Sequence, residues 1–472
     1  MIYYSFLLVF TLLIIFLTYK IWIKTKEPAF VLGIALLYYW TFLGSWFIVI
    51  DGLNDQIGKE WGLHYYHFFK RLFQVVLDNN FILSIVYYGI FIVVIQVCVL
   101  YFTKRSDNKE INKITPVFIN DTILIIGCIA GVIISCGMVW KEILTAAKFE
   151  ESIYVVTRHQ PGHFFTLHQL INFCIVIALY IGLISFISGK DGKYINSEKS
   201  KRNLFLYIFC VFFVEGYLLL LGNKREIFFA GIFGALFYYS NVAGKVKWRS
   251  ILILVFIVFT PMLFNDGLRA YSPVWLCNYF DTSGLELHLD MDIQYTEFSV
   301  KNSALAFLFS NEMFCANFSM YGALSHHIPF TYGSSIYSFV YSLVPRILLP
   351  NRPETIYEYY VKYVNAAPGQ GYTIHHATGW FLNFGLAGII AGASLLGYLW
   401  AWFYNKKNTL FKVKNKFMKL FFIIGLSAFT AQIPSIVRSG PEAYKALIFE
   451  ALIIPTLIIF VSTLFIKNKK VE

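Results

Sequence analysis

Apolar stretches long enough to cross a bilayer as helices recur along almost the whole chain, separated by short polar loops. The pattern predicts spans at about residues 2–23, 29–50, 81–103, 118–140, 164–188, 204–221, 227–244, 251–265, 378–404, 420–436 and 446–466, about 11 in all. Two intervening segments differ from plain loops. In residues 51–80, Trp61, Tyr65, Phe68, Phe69, Leu72 and Phe73 recur at helical spacing among charged residues, which predicts an amphipathic helix lying on the membrane surface. Residues 141–163 look similar and end in Thr157-Arg-His-Gln-Pro-Gly-His163.

The longest connection runs from about 266 to 376 and is rich in Pro and Gly. Its middle, Ser303 to Leu324, is moderately apolar but contains Asn311, Glu312 and Asn317. A full span there would invert every later loop, so an interfacial or re-entrant helix is expected. The predicted fold class is an all-α polytopic membrane protein with a large extracytoplasmic loop late in the chain. Its expected parts are an N-terminal bundle of about eight helices (1–265), the loop with interfacial helices (266–377) and about three C-terminal helices (378–472).

Composition agrees with the pattern. Of 472 residues, 58% are hydrophobic and 14% charged, which excludes a soluble domain. The net charge of +12 raises nucleic acid as a partner, but the basic residues flank apolar spans and form no continuous face. They set orientation instead. Lys24 and Lys26, Lys104 to Lys113, Lys190 to Arg202, Lys245 to Arg249, Lys406 to Lys419 and Lys467 to Lys470 all fall on one side of the predicted topology. By the positive-inside bias that side is cytoplasmic, with the N-terminus outside and the C-terminus inside. The first span lacks a basic leader and a small-residue cleavage pattern, so it is expected to stay as a helix. Most cysteines lie in predicted spans; Cys277 and Cys315 share an outside loop, where pairing is one option.

The sparse outside charges carry the candidate chemistry. Arg438 opens the turn Arg438-Ser-Gly-Pro-Glu-Ala-Tyr-Lys445, where Ser439 and Glu442 have capping-box spacing. A cation at a helix start is disfavoured unless an anion joins it. Lys224 and Arg225 repeat this arrangement in Asn223-Lys-Arg-Glu226, with ion pairing to Glu226 or Glu215 as the alternative. His375 and His376 precede the helix near 378, where a neutral imidazole suits a general base and local capping is the competing role. Arg346 and Arg352 stand in a Pro-bounded segment able to clamp phosphate, and Arg269 follows the Asn265-Asp-Gly turn. If the helix starts near 227, 378 and 446 converge, they make a diphosphate site at outer-leaflet depth. No hydrolase, P-loop or dinucleotide motif is present.

Several of these segments resemble the Wzy-type polymerases of O-antigen and capsular repeat units. They are Pro345-Arg with Pro350-Asn-Arg-Pro353, Gly369-Gln-Gly371 running into Trp380-Phe-Leu-Asn-Phe-Gly385, and Arg438-Ser-Gly-Pro-Glu442 followed by Phe449-Glu450. The motifs cover mainly residues 340–460, the topology the whole chain. The resemblance implies a GT-C-like membrane glycosyltransferase in the bacterial cytoplasmic membrane. Donor and acceptor would both be undecaprenyl-diphosphate-linked oligosaccharides, with membrane lipids and a chain-length regulator as further partners. No cofactor, metal or nucleic acid is implied. By analogy with the related O-antigen ligases, Arg225, Arg352 and Arg438 would hold the leaving diphosphate, with Lys224, Arg269, Arg346 and Lys445 assisting. His375 or His376 would be the base, and outside aromatics such as Tyr332 and Tyr357 would stack on sugars. Some relatives carry an acidic residue where this chain has Gly379, which leaves the base open. A flippase of the same lipid-linked sugar, an O-antigen ligase and a membrane acyltransferase are the rival readings.

Overall fold

A computed structural model describes residues 2–52, 64–105, 119–149, 165–188, 198–221, 224–239, 286–289, 293–296, 313–342, 353–364, 373–410 and 413–465. The first helices are α1 (Ile2–Thr25), α2 (Pro28–Asp51), α3 (His64–Leu72), α4 (Asn79–Phe102), α5 (Asp121–Met138) and α6 (Trp140–Phe149). Next come α7 (Phe165–Ser188), α8 (Glu198–Leu220), α9 (Lys224–Tyr238) and an antiparallel pair, β1 (Glu286–Leu289) and β2 (Ile293–Thr296). The rest is helical: α10 (Met313–Ser325), α11 (Ser334–Ser342), α12 (Ile356–Tyr363), α13 (His376–Asn408), α14 (Lys416–Ala431) and α15 (Ile433–Val437). A last continuous run, α16, covers Ala443–Leu464 and includes a π-helical stretch at Ala446–Ile453.

Eight of these helices are long and apolar enough to cross a membrane: α1, α2, α4, α5, α7, α8, α13 and α16. The chain is therefore a polytopic, membrane-embedded protein. The difference from the 11 predicted spans has local causes. The segment 251–265 lies outside the described residues. Of the apolar run at 227–244, the described residues form the short apolar helix Glu226–Tyr238, and residues 240–244 lie outside them. The one at 420–436 is interrupted at Gln432, between α14 and α15.

The chain forms two compact units, each discontinuous in sequence, a different grouping from the division by chain order. Unit 1 comprises residues 1–107, 304–410 and 429–448. Its framework is α1, α2, α4 and α13. Pro28 starts α2, and the Asp78 carboxylate caps α4 by accepting from the Phe81 amide at 2.9 Å. One end of this bundle collects basic side chains. There Lys407 pairs with the largely buried Glu27 at 2.9 Å, Asn405 accepts from the Lys104 amide at 2.9 Å, and Lys24 donates to the Leu100 carbonyl. The opposite end is marked by Tyr3, which donates to the Leu77 carbonyl at 2.7 Å, and by the Tyr4–Trp46 ring pair. Three loops expected on one side thus do meet at one end.

The middle of the long connection is neither loop nor surface helix. In α10, every residue from Met313 to Ala323 is buried. Asn317 spans the Trp40 carbonyl (2.8 Å) and the Gly44 amide (2.9 Å), the two partners of one α2 helical bond. The predicted surface helix is α3, and it buries Tyr66, Phe69 and Lys70 within unit 1. Its aromatics pack on α10, with Tyr66 and Phe314 rings 5.3 Å apart. Cys315 is a free thiol that donates to the Thr373 carbonyl at 3.0 Å, and burial pushes its pKa up to about 12. Cys277 lies outside the described residues.

Unit 2 comprises 108–303, 411–428 and 449–472. Its described helices α5, α7, α8 and α9 pack with the later part of α16. At one end Tyr207 donates to Asp121 at 2.9 Å and Asn120 donates to the Phe465 carbonyl at 3.2 Å. At the other, His168 donates from Nδ1 to the Ser135 carbonyl at 2.7 Å, and its Nε2 accepts from Tyr217 at 3.0 Å.

Candidate functional site: a folded-back helix and the Arg438 turn in unit 1

Helix α13 was expected to be one straight span, and it is not. Phe384 (φ −144°, ψ 25°) and Gly385 (φ 60°, ψ −141°) are non-helical. Gly385 has the left-handed φ that glycine tolerates best. Beyond this corner the chain turns back on itself. A side chain on Gly388 would overlap the Trp380 carbonyl, and one on Gly392 the Trp380 indole. In a straight helix Trp380 and Gly392 would stand about 18 Å apart. The segment His376–Asn383 is therefore a half-helix folded against the spanning segment that follows. The corner is sealed from outside the helix: the Thr331 amide donates to the Leu382 carbonyl at 2.7 Å. The Thr331 hydroxyl donates to Asn383 Oδ1 at 3.1 Å.

This folding sinks the two histidines into the bundle. His375 packs edge-on against Tyr88, ring centroids 4.5 Å apart. Tyr88 lies about 15 Å along α4 from its Asp78 cap, at about 1.5 Å per residue. Both histidines are fully buried. Their hydrogen bonds fix opposite tautomers. His375 Nδ1 accepts from the Ala377 amide at 3.0 Å, capping the half-helix, so Nε2 carries the proton and donates to Thr41 Oγ1 at 3.0 Å. His376 Nδ1 faces two acceptors, the carbonyls of Ser439 (2.9 Å) and Gly440 (3.1 Å), so it carries the proton. His376 Nε2 is then the lone pair. It accepts from Trp380 Nε1 at 3.0 Å and lies 3.3 Å from the Tyr444 hydroxyl.

The carbonyls that hold His376 belong to the turn after Arg438. The half-buried Arg438 guanidinium lies over the Trp40 indole, 5.6 Å from its centroid, a cation–π placement. The expected capping box at Ser439–Glu442 does not form. Helix α16 begins after Glu442, which makes no side-chain cap. Glu442 Oε1 instead accepts from the Ile356 amide at 3.2 Å, tying the turn to the start of α12. A capping box of the same spacing forms at Thr355–Glu358. Two helix starts, near 378 and near 446, thus meet in unit 1.

The other predicted residues fall as follows. Lys445 is half-buried, one residue past the Tyr444 that faces His376. Tyr357 follows Ile356 in α12, and Tyr332 is 77% exposed in the turn that seals the α13 corner. Lys224 and Arg225 open α9 in unit 2, with their side chains outside the described residues. Arg269, Arg346 and Arg352 are also outside them. Trp40, Thr41, Tyr88 and Gln432 were not singled out in the sequence, and Trp380 and Tyr444 stood there only within longer motifs, with no role of their own. Trp380 was accessible, since it follows His376 at the i,i+4 spacing of one helix face. Among the described residues no group of three or more His, Cys, Asp or Glu is arranged to hold a metal ion.

A folded-back helix, one cation and two fixed imidazoles can bind an anionic group and take up a proton from a polar one. No protein-family model, curated protein or solved structure matches the chain.

Proposed function

We propose that the chain is a membrane-embedded glycosyltransferase of GT-C type. It would polymerise undecaprenyl-diphosphate-linked oligosaccharide repeat units into surface polysaccharide, O-antigen or capsule, at the outer face of the cytoplasmic membrane. The observation that carries this reading is that His376, with its Nε2 lone pair, is bonded through Nδ1 to the turn that directly follows Arg438. Ionisable groups inside a polytopic bundle are costly and are kept for ligands.

In the proposed step, a hydroxyl oxygen of the acceptor repeat unit bonds to the anomeric carbon of the donor chain. The bond from that carbon to the lipid diphosphate breaks, and the diphosphate leaves with the electron pair. The hydroxyl proton passes to His376 Nε2. His376 suits the role better than His375, whose lone pair is committed to a backbone amide of the half-helix. The partners of His376 Nε2 are the side chains of Trp380 and Tyr444, and the two carbonyls on Nδ1–H hold the tautomer. Arg438 neutralises charge on the departing phosphate, and removing such a contact typically costs about 10²-fold or more. Arg346, Arg352 and Lys445 remain proposed contributors to the diphosphate site, and Tyr332 and Tyr357 to sugar stacking; Lys224, Arg225 and Arg269 fall in unit 2.

A second reading has its own support. Helices broken inside the bundle are also how transporters build sites, which keeps a flippase of the same lipid-linked unit in view. Deleting the gene and sizing surface glycan separates them. A polymerase loss leaves single repeat units on the surface, a flippase loss leaves none, and an unchanged profile contradicts both.

A further inference from the structure

The second broken helix carries an unassigned residue six positions before Arg438. Helix α14 stops at Ala431 and α15 starts at Ile433, with Pro434 in its first turn. Gln432 stands at the break, and Arg438 follows α15 at its far end. Gln432 is fully buried, and neither its Nε2 nor its Oε1 has a hydrogen-bond partner. Among the described residues it is the one amide side chain buried with both polar atoms unpartnered. Its counterparts show how such groups are otherwise treated. Asn317 uses both atoms on α2, while Gln96 and Asn172 leave the carbonyl oxygen unpartnered but donate from the amide nitrogen, Gln96 to the Ile14 carbonyl and Thr18. A buried amide is expensive to leave unmade, so a sequence that keeps one at a helix break obtains something for it.

The two idle atoms also specify the chemistry of the partner. Phosphate oxygens accept only, and would satisfy Nε2 while leaving Oε1 bare. A group that both donates and accepts satisfies both atoms at once, which describes sugar hydroxyls. We propose that Gln432 is a glycan-binding residue, whose amide pairs with hydroxyls of the oligosaccharide while Arg438 holds the lipid diphosphate. This inference rests on the glycosyl-transfer reading.

The experiment compares wild type, Gln432→Met, Gln432→Leu and Arg438→Ala. Each is purified in detergent for its thermal midpoint, and each is expressed in the deletion strain for surface-glycan length. An amide without partners in the folded core loses nothing when replaced by an apolar side chain of similar size. Both Gln432 variants should therefore keep or raise the midpoint, while polymer yield falls about tenfold or more, the equivalent of one lost polar contact. Full-length polymer at unchanged yield from both overturns the proposal. A lower midpoint in both also overturns it, because it reveals partners within the protein. If the Gln432 variants make polymer normally and Arg438→Ala does not, this inference fails while the polymerase reading stands. If Arg438→Ala also makes polymer normally, the polymerase site itself is misplaced.

Discussion

His376 Nδ1 donates a hydrogen bond to the Ser439 carbonyl, 2.9 Å away and 63 positions along the chain. This bond joins the half-helix of α13 to the turn that carries Arg438. It decides which ring nitrogen of His376 has the lone pair, and so which histidine is fitted to act as a base.

The two histidines should therefore separate cleanly. His376→Asn keeps an N–H donor near the Nδ1 position but has no basic nitrogen. Polymer formation should fall by about 10²-fold or more, with a stability loss no larger than about 1–3 kcal/mol, that of a Trp380 N–H left without its acceptor. His375→Asn keeps an efficient N-cap and should retain polymer formation. Glycan sizing beside detergent melting curves checks both, and the reverse pattern would assign the base to His375.

Thr41 accepts the His375 Nε2 proton at 3.0 Å and in turn donates to the Leu37 carbonyl. Thr41→Val leaves the imidazole N–H buried without an acceptor and should cost about 1–3 kcal/mol of stability. Thr41→Ser restores the hydroxyl and should recover most of it, as read by chemical unfolding in detergent.

The fold-back of α13 depends on small residues facing Trp380. Gly392→Leu should force the half-helix away, destabilising the protein by about 1–3 kcal/mol and abolishing polymer formation. Combining Gly392→Ala with Trp380→Leu should be less harmful than the sum of the two single changes. Additive losses would mean that the two positions do not touch.

Glu442 reaches the Ile356 amide across the site. Glu442→Gln keeps a side-chain acceptor and should preserve function, whereas Glu442→Ala should loosen α12 and lower both the midpoint and the polymer yield. Equal behaviour of the two would show that the contact does no more than fill space.

The spanning helices were legible because an apolar run of bilayer length has few alternatives, and because basic loops mark their ends. The breaks were not. Asn383-Phe-Gly385 sits inside a continuous apolar run, and hydropathy records composition, not the direction of the chain. The corner is set by the φ of Gly385 and by Thr331 taking the Leu382 carbonyl, both tertiary matters. Ser439-Gly-Pro-Glu442 and Thr355-Ile-Tyr-Glu358 have the same capping spacing, yet the box closes at the second alone. Glu442 is drawn instead to a neighbouring helix start. Arg438, His375 and His376 were found because polar residues at apolar-segment boundaries stand out. Gln432 was not, since one amide near a proline reads as the end of a span.

The most direct measurement uses purified protein in proteoliposomes. Lipid-linked repeat units extracted from the deletion strain are added without nucleotide sugar, and products are resolved by size. The account predicts a ladder of polymers with wild-type protein and single units with Arg438→Ala. Single units from the wild type, or the same ladder from both, would contradict it.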